Sequence, residues 1–269
     1  MSWRSWFALP VLMVSFLTVL LIQRDRLDQL QQTATQPRLA ELKADLQQRE
    51  LQLGLWRSLP AFGFENLFAD WVLLQFFQYF GDEPARERTG YDLTLDYYEI
   101  VVDHNPRFRE IYTFMGTAGA IYAVEPERTD ALMTRGIRAM TPDVPHHAYT
   151  VVQNKAVNEL LFLPDGEAKA QKSFAQAADW AKIYDDEESQ RAAHFASSIS
   201  QTLLEDLDSR WVRAGAWNLI LQSVADQRSQ ALAIAQIRAL GGDVIATGNG
   251  QLVPIFPEET EATDPPPSE

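Results

Sequence analysis

The chain has 269 residues, no cysteine, and 37 acidic against 23 basic side chains, which gives a formal net charge of −14. Such an acidic balance disfavours nucleic acid as a partner, because sequence-independent binding of nucleic acid needs a basic surface to neutralise phosphates. The absence of cysteine excludes disulfides, thiolate metal sites and a cysteine nucleophile.

The first predicted element is a membrane anchor in residues 1–26. Its core, residues 6–22, is a run of seventeen residues without charge, and as a helix it would measure about 26 Å, close to the thickness of the hydrocarbon layer. The run passes directly into the polar residues 23–26 without a small-residue cleavage pattern, so we expect an uncleaved, single-pass anchor. The alternative is a buried helix of a soluble protein. Basic residues flank the run on both sides, which leaves open the side of the membrane on which the rest of the chain lies.

Residues 27–55 are predicted to form a polar helical stalk. Its leucines recur at spacings of three and four residues, and Arg49 stands at the step where one is missing. Fewer than three heptads are too few to indicate a coiled coil, so we expect this face to pack on the body or against a partner helix near the membrane. The leucines are Leu39, Leu42, Leu46 and Leu53.

A strongly apolar helix is predicted between Asn66, which suits an N-cap, and Gly81, which suits a C-cap. At roughly fourteen residues it would be about 21 Å long, and it includes Asp70, which disfavours a second membrane span. We expect neighbouring elements to bury it on both sides. The alternative is a partner-binding or lipid-facing surface made by the aromatic residues Trp71, Phe76, Phe77 and Tyr79.

Beyond Asp82 the sequence has a helical pattern that is interrupted at Pro106, at Pro142, at Pro164 and at residues 184–186. Before the first of these prolines stands a set of three residues that are four and three positions apart, and a second set repeats those spacings 76 residues later. Small or branched residues on either side of an aromatic ring let a second helix approach closely on that face. The two sets are Thr94, Tyr98 and Val101, and Ala170, Phe174 and Ala177.

This pattern resembles that of the tetratricopeptide-repeat (TPR) superfamily, whose unit is a pair of helices of about 34 residues. Residues 69–81, followed by residues 104–108 and Tyr112, resemble a group of bacterial membrane-anchored repeat proteins of uncharacterised function. The resemblance covers about residues 67–221, and it implies an all-α, TPR-like α-solenoid. Repeat lengths that drift from 36 to about 40 residues, and the missing tryptophan and glycine of the first helix of each unit, are departures from the family pattern.

The predicted body, residues 56–240, therefore consists of paired helices. We pair residues 107–123 with 128–140, 147–162 with 167–184, and 189–205 with 209–225, and we end the body on a helix at 228–240. Residues 241–256 are predicted to form a small β-hairpin, because Asn249 and Gly250 suit a tight turn. Residues 257–269 contain five acidic residues, four prolines and no basic residue, a composition typical of a disordered tail.

The sequence offers no recognisable catalytic, cofactor or metal site. His146 and His147 are adjacent, so on a helix their side chains would diverge by about 100° and could not share a metal ion without a third ligand. The acidic residues 185–188 lack the glycine and the alternate spacing of a calcium loop and are more typical of a helix N-terminus. No serine lies in a nucleophile elbow, and Glu159 and Asp165 have no acid/base partner that spacing identifies.

We therefore predict a membrane-anchored helical-repeat scaffold or adaptor, not an enzyme, that binds a protein partner in the assembly or stabilisation of a membrane complex. The alternatives are a constitutive subunit of such a complex and an enzyme whose site is not recognisable. The resemblance implies that the first helix of each pair lines a concave surface. On that basis the candidate partner-binding residues are Tyr112, Met115, Tyr122, Lys155 and Glu159. The alternative is that the aromatic residues pack between repeats and that Lys155 and Glu159 belong to a solvated helix face.

Overall fold

The structure is a computed structural model, and it describes residues 39–207, 209–224, 226–246 and 252–255. The predicted anchor, the first part of the stalk, the Asn249-Gly250 turn and the acidic tail lie outside the described residues. Among the helices of the described ranges, none combines the length and the apolar character that crossing a bilayer requires.

The described chain is helical except for one pair of short strands, which confirms the all-α prediction. The strands, β1 (Asp243–Ala246) and β2 (Leu252–Ile255), pair in antiparallel register with Asp243 opposite Ile255. The helices are α1 (Leu39–Trp56), α2 (Glu65–Phe80), α3 (Glu83–Thr89), α4 (Thr94–His104), α5 (Ile111–Thr117) with a π-helical extension (Ala118–Tyr122), α6 (Pro126–Ile137), α7 (Tyr149–Phe162), α8 (Glu167–Ala181), α9 (Glu187–Glu205), α10 (Arg210–Ser223) and α11 (Gln227–Ala239).

Aspartates cap three of the helices. Asp82 accepts a hydrogen bond from the backbone N–H of Ala85 at the start of α3, and Asp186 and Asp226 do the same for residues three positions ahead, at the starts of α9 and α11. A side-chain oxygen at this position satisfies a backbone donor that the helix itself leaves unpaired. The predicted role of the acidic residues 185–188 as a helix N-terminus is thus confirmed.

Helix α2 is buried on one face only. It begins at Glu65 after Phe64, so the prediction of Asn66 as N-cap is wrong, whereas Gly81 is the C-cap as predicted. Ala69, Val72, Leu73, Phe76 and Tyr79 are buried, chiefly against α4. The expectation of burial on both sides is also wrong, because no described element covers the outer face, where large apolar side chains are exposed.

The leucine face of α1 packs on the body, which was one of the two expected arrangements. Leu42 and Leu53 are buried and Leu46 packs against the core, while Leu39 at the start of the helix is exposed. Arg49, at the step without a leucine, donates to Asp45 at 2.7 Å. The helix contacts α3 and α4.

The two predicted sets of small and aromatic residues are all buried, in α4 and in α8. Helix α8 packs between α7 and α9, because its alanines keep both sides of the helix narrow. The predicted pairing of residues 189–205 with 209–225 is therefore wrong: α9 packs chiefly on α8, and α10 packs on α11 and touches α7.

Candidate functional site

A groove crosses the face formed by α2, α5, α7 and α10, and we call it the central groove. It consists of two cavities that share Thr113, Thr117 and Ser223 in their walls. The larger, of about 370 Å³, is lined mainly by apolar side chains of α2 and α5. The smaller, of about 220 Å³, is lined mainly by side chains of α7 and α10 that include several hydroxyl and amide groups.

Aromatic rings form the wall of the larger cavity and remain partly in solvent. Phe77 of α2 and Phe114 of α5 contact each other edge to face, with ring centroids 6.1 Å apart, and they are 44% and 58% exposed. Phe76 and Tyr98 pack beneath them. Exposed aromatic carbon beside a concave wall is apolar surface that a bound partner would remove from water.

The smaller cavity presents amide groups. Asn154 Nδ2 donates to Thr113 Oγ1 at 3.0 Å and so links α7 to α5. Asn158, one turn further along α7, is buried and donates from Nδ2 to the carbonyl oxygen of Pro126 at 3.1 Å. Its Oδ1 atom is buried and has no hydrogen-bond partner among the described residues. A buried acceptor without a donor costs free energy.

A hydrogen bond between distant segments closes one side of the larger cavity. Tyr122, at the end of the π-helical extension, donates from its hydroxyl to Asp226, which precedes α11, at 2.6 Å. Burial and this carboxylate raise the pKa of Tyr122 to about 12. Partial burial disfavours ionisation of Asp226, but the hydrogen bonds from Tyr122 and Ser229 outweigh it, so the pKa of Asp226 lies below its ordinary value.

Two of the predicted partner-binding residues are buried in the core and do not line the groove. Tyr112 and Met115 are fully buried, and the Tyr112 hydroxyl donates to the carbonyl oxygen of Pro106 at 2.6 Å. The Tyr112 ring lies over Gly136 of α6, where a side chain is missing. Because α5 directs Tyr112 at α6, it is the neighbouring Phe114 that faces the groove, and the prediction for Tyr112 and Met115 is corrected accordingly.

The other predicted partner-binding residues have different environments. Tyr122 lines the larger cavity, as described above. Lys155 and Glu159 contact each other across one helical turn, and Lys155 also lies 3.2 Å from Asp130 of α6. Both side chains are largely buried between α6 and α7. The expectation that this pair lies on an exposed surface is therefore wrong, because Lys155 bridges Asp130 and Glu159 between the two helices.

The second predicted surface is divided between the core and solvent. Trp71 and Phe77 are exposed on α2, whereas Phe76 and Tyr79 are buried. The Tyr79 hydroxyl accepts a hydrogen bond from the backbone N–H of Leu93, and the Arg86 guanidinium lies 4.1 Å from the centre of its ring. A partner could contact Trp71 and Phe77 without unfolding, but it could not contact Tyr79.

Sequence reasoning missed most of the residues that line the groove. Thr113 and Thr117 of α5, and Asn154 and Asn158 of α7, are two pairs at i, i+4, so each pair lies on one helix face. These pairs of uncharged polar residues at a spacing of four were the available signal. The prediction was based on the aromatic residues instead, although aromatic rings fill cores as readily as they line binding sites.

The adjacent histidines His146 and His147 lie beside Asp186, the N-cap of α9. The rings of His146 and His147 lie 3.9 Å apart, and His147 Nε2 lies 3.5 Å from Asp186 Oδ2. Within the described ranges no group of three or more histidine or carboxylate side chains is placed to hold a metal ion.

Comparison of the chain with protein-family models, with curated proteins and with solved structures finds no match. The geometry of the central groove and the pattern of the sequence are therefore the basis for a functional proposal.

Proposed function

We propose that this protein is a membrane-anchored adaptor with a TPR-like helical-repeat body, and that its central groove binds a segment of a protein partner. The observation that carries the proposal is an open apolar cavity with two exposed aromatic rings, Phe77 and Phe114, joined to a cavity lined by hydroxyl and amide side chains. A polypeptide offers both complementary groups, because its side chains can fill the apolar cavity while its backbone N–H and C=O groups can hydrogen-bond to the polar lining.

Two features support a repeat architecture. Successive helices α7, α8 and α9 pack side by side in chain order, as units of a solenoid do. The small or branched and aromatic positions of α4 and α8 are buried at the same spacing. A solenoid would also account for a groove whose walls come from helices far apart in the sequence.

The charge-free run at residues 6–22 supports the membrane part of the proposal. A partner that meets an anchored adaptor is itself at the membrane, so we favour a subunit of a membrane complex that is being assembled or stabilised. Deleting residues 1–26 should release a soluble, largely helical protein from membranes washed with alkaline carbonate, as judged by sedimentation and circular dichroism. A truncated chain that still sediments with the washed membranes would contradict a single anchor.

Partner binding through the groove is tested by a pair of charge insertions. The full chain is tagged, extracted in mild detergent and purified with its partners, as wild type and as Phe114→Glu and Phe195→Glu. Both phenylalanines are exposed, but Phe195 lies on α9, outside the two groove cavities. We expect Phe114→Glu to lose a partner that Phe195→Glu retains, because a carboxylate in the apolar cavity would have to be desolvated. Equal recovery of every protein with the two variants would contradict groove binding.

The amount of the recovered partner then separates an adaptor from a constitutive subunit. A transient adaptor should be substoichiometric to its partner in the cell, whereas a subunit should be present in equal amount. Quantification of both proteins in unfractionated membranes provides the ratio.

A further inference from the structure

Exposed apolar side chains are concentrated around the start of α2. Of the nineteen large apolar residues that are exposed among the described residues, six lie within sixteen residues of the chain, and none of the six lines the central groove. Soluble surfaces rarely expose large apolar side chains in such a cluster without a function. We call the cluster the apolar patch, and its members are Leu59, Phe62, Phe64, Leu67, Trp71 and Leu74.

The loop between α1 and α2 projects two aromatic rings into solvent. Residues 58–64 carry no charge, which is unusual for a surface loop. Phe62 and Gly63 both have left-handed backbone conformations, with φ angles of 52° and 88°, and this turn leaves Phe62 83% and Phe64 65% exposed. A bulky residue avoids positive φ unless something compensates, so the exposed Phe62 marks the turn as a candidate for function.

Three of the six backbone N–H groups in residues 58–64 donate to backbone carbonyl oxygens. The N–H groups of Ser58 and Leu59 donate to carbonyl oxygens at the end of α1, at 3.0 and 3.2 Å, and the N–H of Phe64 donates to Ala61 at 2.8 Å. Pro60 has no N–H group to satisfy. Paired donors lower the cost of moving a loop from water into a less polar medium, because each unpaired group would have to be desolvated.

Helix α2 continues the patch beyond the loop. Leu67, Trp71 and Leu74 recur at spacings of four and three residues, so they share the outer face of the helix, opposite the buried face that packs on α4. Tryptophan concentrates where lipid headgroups meet acyl chains, and tryptophan, phenylalanine and leucine form the apolar faces of helices that lie in this interface. The outer face of α2 and the preceding loop therefore have the composition of an interfacial surface.

We propose that the apolar patch docks on the lipid bilayer, with Phe62 and Phe64 inserted at the interface, so that the body lies against the membrane that holds its anchor. This rests on the proposed anchor, because residues 23–38 between the charge-free run and α1 can span at most about 55 Å. The body stays within that distance of the bilayer. The tether is long enough for α1 to lie along the surface, which brings the loop after α1 to the lipid.

The chemistry of the patch favours lipid over a protein partner. Two phenyl rings that project from a turn would each need a matching cavity on a protein, whereas the bilayer interface accepts apolar shapes without such cavities. Electrostatic attraction contributes little. The one basic residue between 51 and 77 is Arg57, and it already binds Asp96 and Glu99.

Because the natural chain lacks cysteine, a single introduced cysteine can report on the patch. The full chain carries a nitroxide spin label at Phe62→Cys, at Leu67→Cys or, as a control, at Leu204→Cys, and it is reconstituted in phosphatidylcholine vesicles. Leu204 is 70% exposed on α9, away from the patch. We expect the labels at positions 62 and 67 to lose collisions with a water-soluble nickel complex and to gain collisions with oxygen, while the label at 204 stays accessible to nickel. Vesicles that also contain phosphatidylglycerol should give the same result.

Three outcomes overturn the docking. Labels at 62 and 67 that remain as accessible to nickel as the label at 204 would place the loop in water. Labels shielded from both reagents would mean that protein covers the patch, either a second copy of the chain or a segment of the same chain outside the described residues. Flotation of the vesicles separates a failure of the docking from a failure of the anchor. If the chain floats with the vesicles while its labels remain in water, the anchor is retained and only the docking is refuted. If the chain does not float, both proposals are refuted.

Discussion

Substituting Gly136 of α6 by alanine should destabilise the protein, although the same change usually stabilises a helix. A Cβ atom at Gly136 would lie 1.8 Å from the Tyr112 hydroxyl oxygen and 2.5 Å from the ring carbon that bears it. Tyr112 is fully buried, and its hydroxyl is held by the carbonyl oxygen of Pro106. The ring cannot move aside without giving up that hydrogen bond and disturbing its neighbours.

The size of the effect follows from two opposing terms. Alanine is favoured over glycine in a helix by about 1 kcal/mol, whereas forcing additional atoms into a packed core costs about 1 to 3 kcal/mol. Because the clash at Gly136 involves a buried ring, we place the cost in the upper part of that range, and the net loss is about 1 to 2 kcal/mol. Urea unfolding followed by circular dichroism at 222 nm measures it.

Gly215 of α10 is the matched control. It also lies within a helix, and a Cβ atom added there would meet nothing within 4 Å. Gly215→Ala should therefore stabilise the protein by about 0.5 to 1 kcal/mol. If Gly136→Ala proved as stabilising as Gly215→Ala, the Tyr112 ring would not lie over α6, and Tyr112 would return as a candidate residue of the concave surface.

Three further predictions use the same unfolding assay. Phe174→Ala should cost about 3 to 5 kcal/mol because Phe174 is fully buried in α8. Phe195→Ala, which removes an exposed ring on α9, should cost less than about 1 kcal/mol. Similar losses of stability in the two variants would contradict the packing of α8. Lys155→Ala should cost about 3 to 5 kcal/mol, because it leaves the buried carboxylate of Glu159 and the partly buried carboxylate of Asp130 without their cation. A neutral effect would indicate that Lys155 is solvated. Tyr122→Phe should be less stable than wild type at neutral pH. The difference in unfolding free energy should shrink as the pH falls below the ordinary Asp pKa of 3.8, because the pKa of Asp226 is lowered in the folded state. A difference that persists after Asp226 is protonated would refute the role of its charge.

The helical elements were predictable because their signals are local. Prolines and capping residues interrupt the pattern at the helix boundaries, and the buried faces of α4 and α8 follow from residue spacing along single helices. The apolar spacing of α1 likewise predicted a packed face through Leu42, Leu46 and Leu53. Each of these inferences needs only the order of residues within about one helix.

The choice of neighbours was less predictable, since spacing identifies a face but not the element that covers it. Helix α9 packs on α8 rather than on α10, because the alanines of α8 leave room on its second side. The contact between Lys155 and Glu159 follows from their spacing of four residues, but their burial depends on Asp130, which belongs to another helix.

The candidate site was harder still to predict from the sequence. The orientation of α5 depends on Gly136, 24 residues beyond Tyr112, because only a glycine leaves space for that ring. Had the ring faced the groove, Phe114 would have been the buried residue. Residue type alone could not decide which of the two aromatic side chains faces the groove. The π-helical extension that follows them could not be predicted from apolar spacing either.

The claim that the central groove binds a protein partner is tested most directly by site-specific photocrosslinking in the cell. Phe114 and, in a separate variant, Phe195 are replaced by p-benzoylphenylalanine, a closely similar side chain at two exposed positions. We predict that irradiation joins position 114 to one protein that position 195 does not reach, and that Phe77→Glu, beside position 114 in the wall of the larger cavity, abolishes this product. The same crosslinked proteins from both positions, or a product at 114 that is unaffected by Phe77→Glu, would contradict the account.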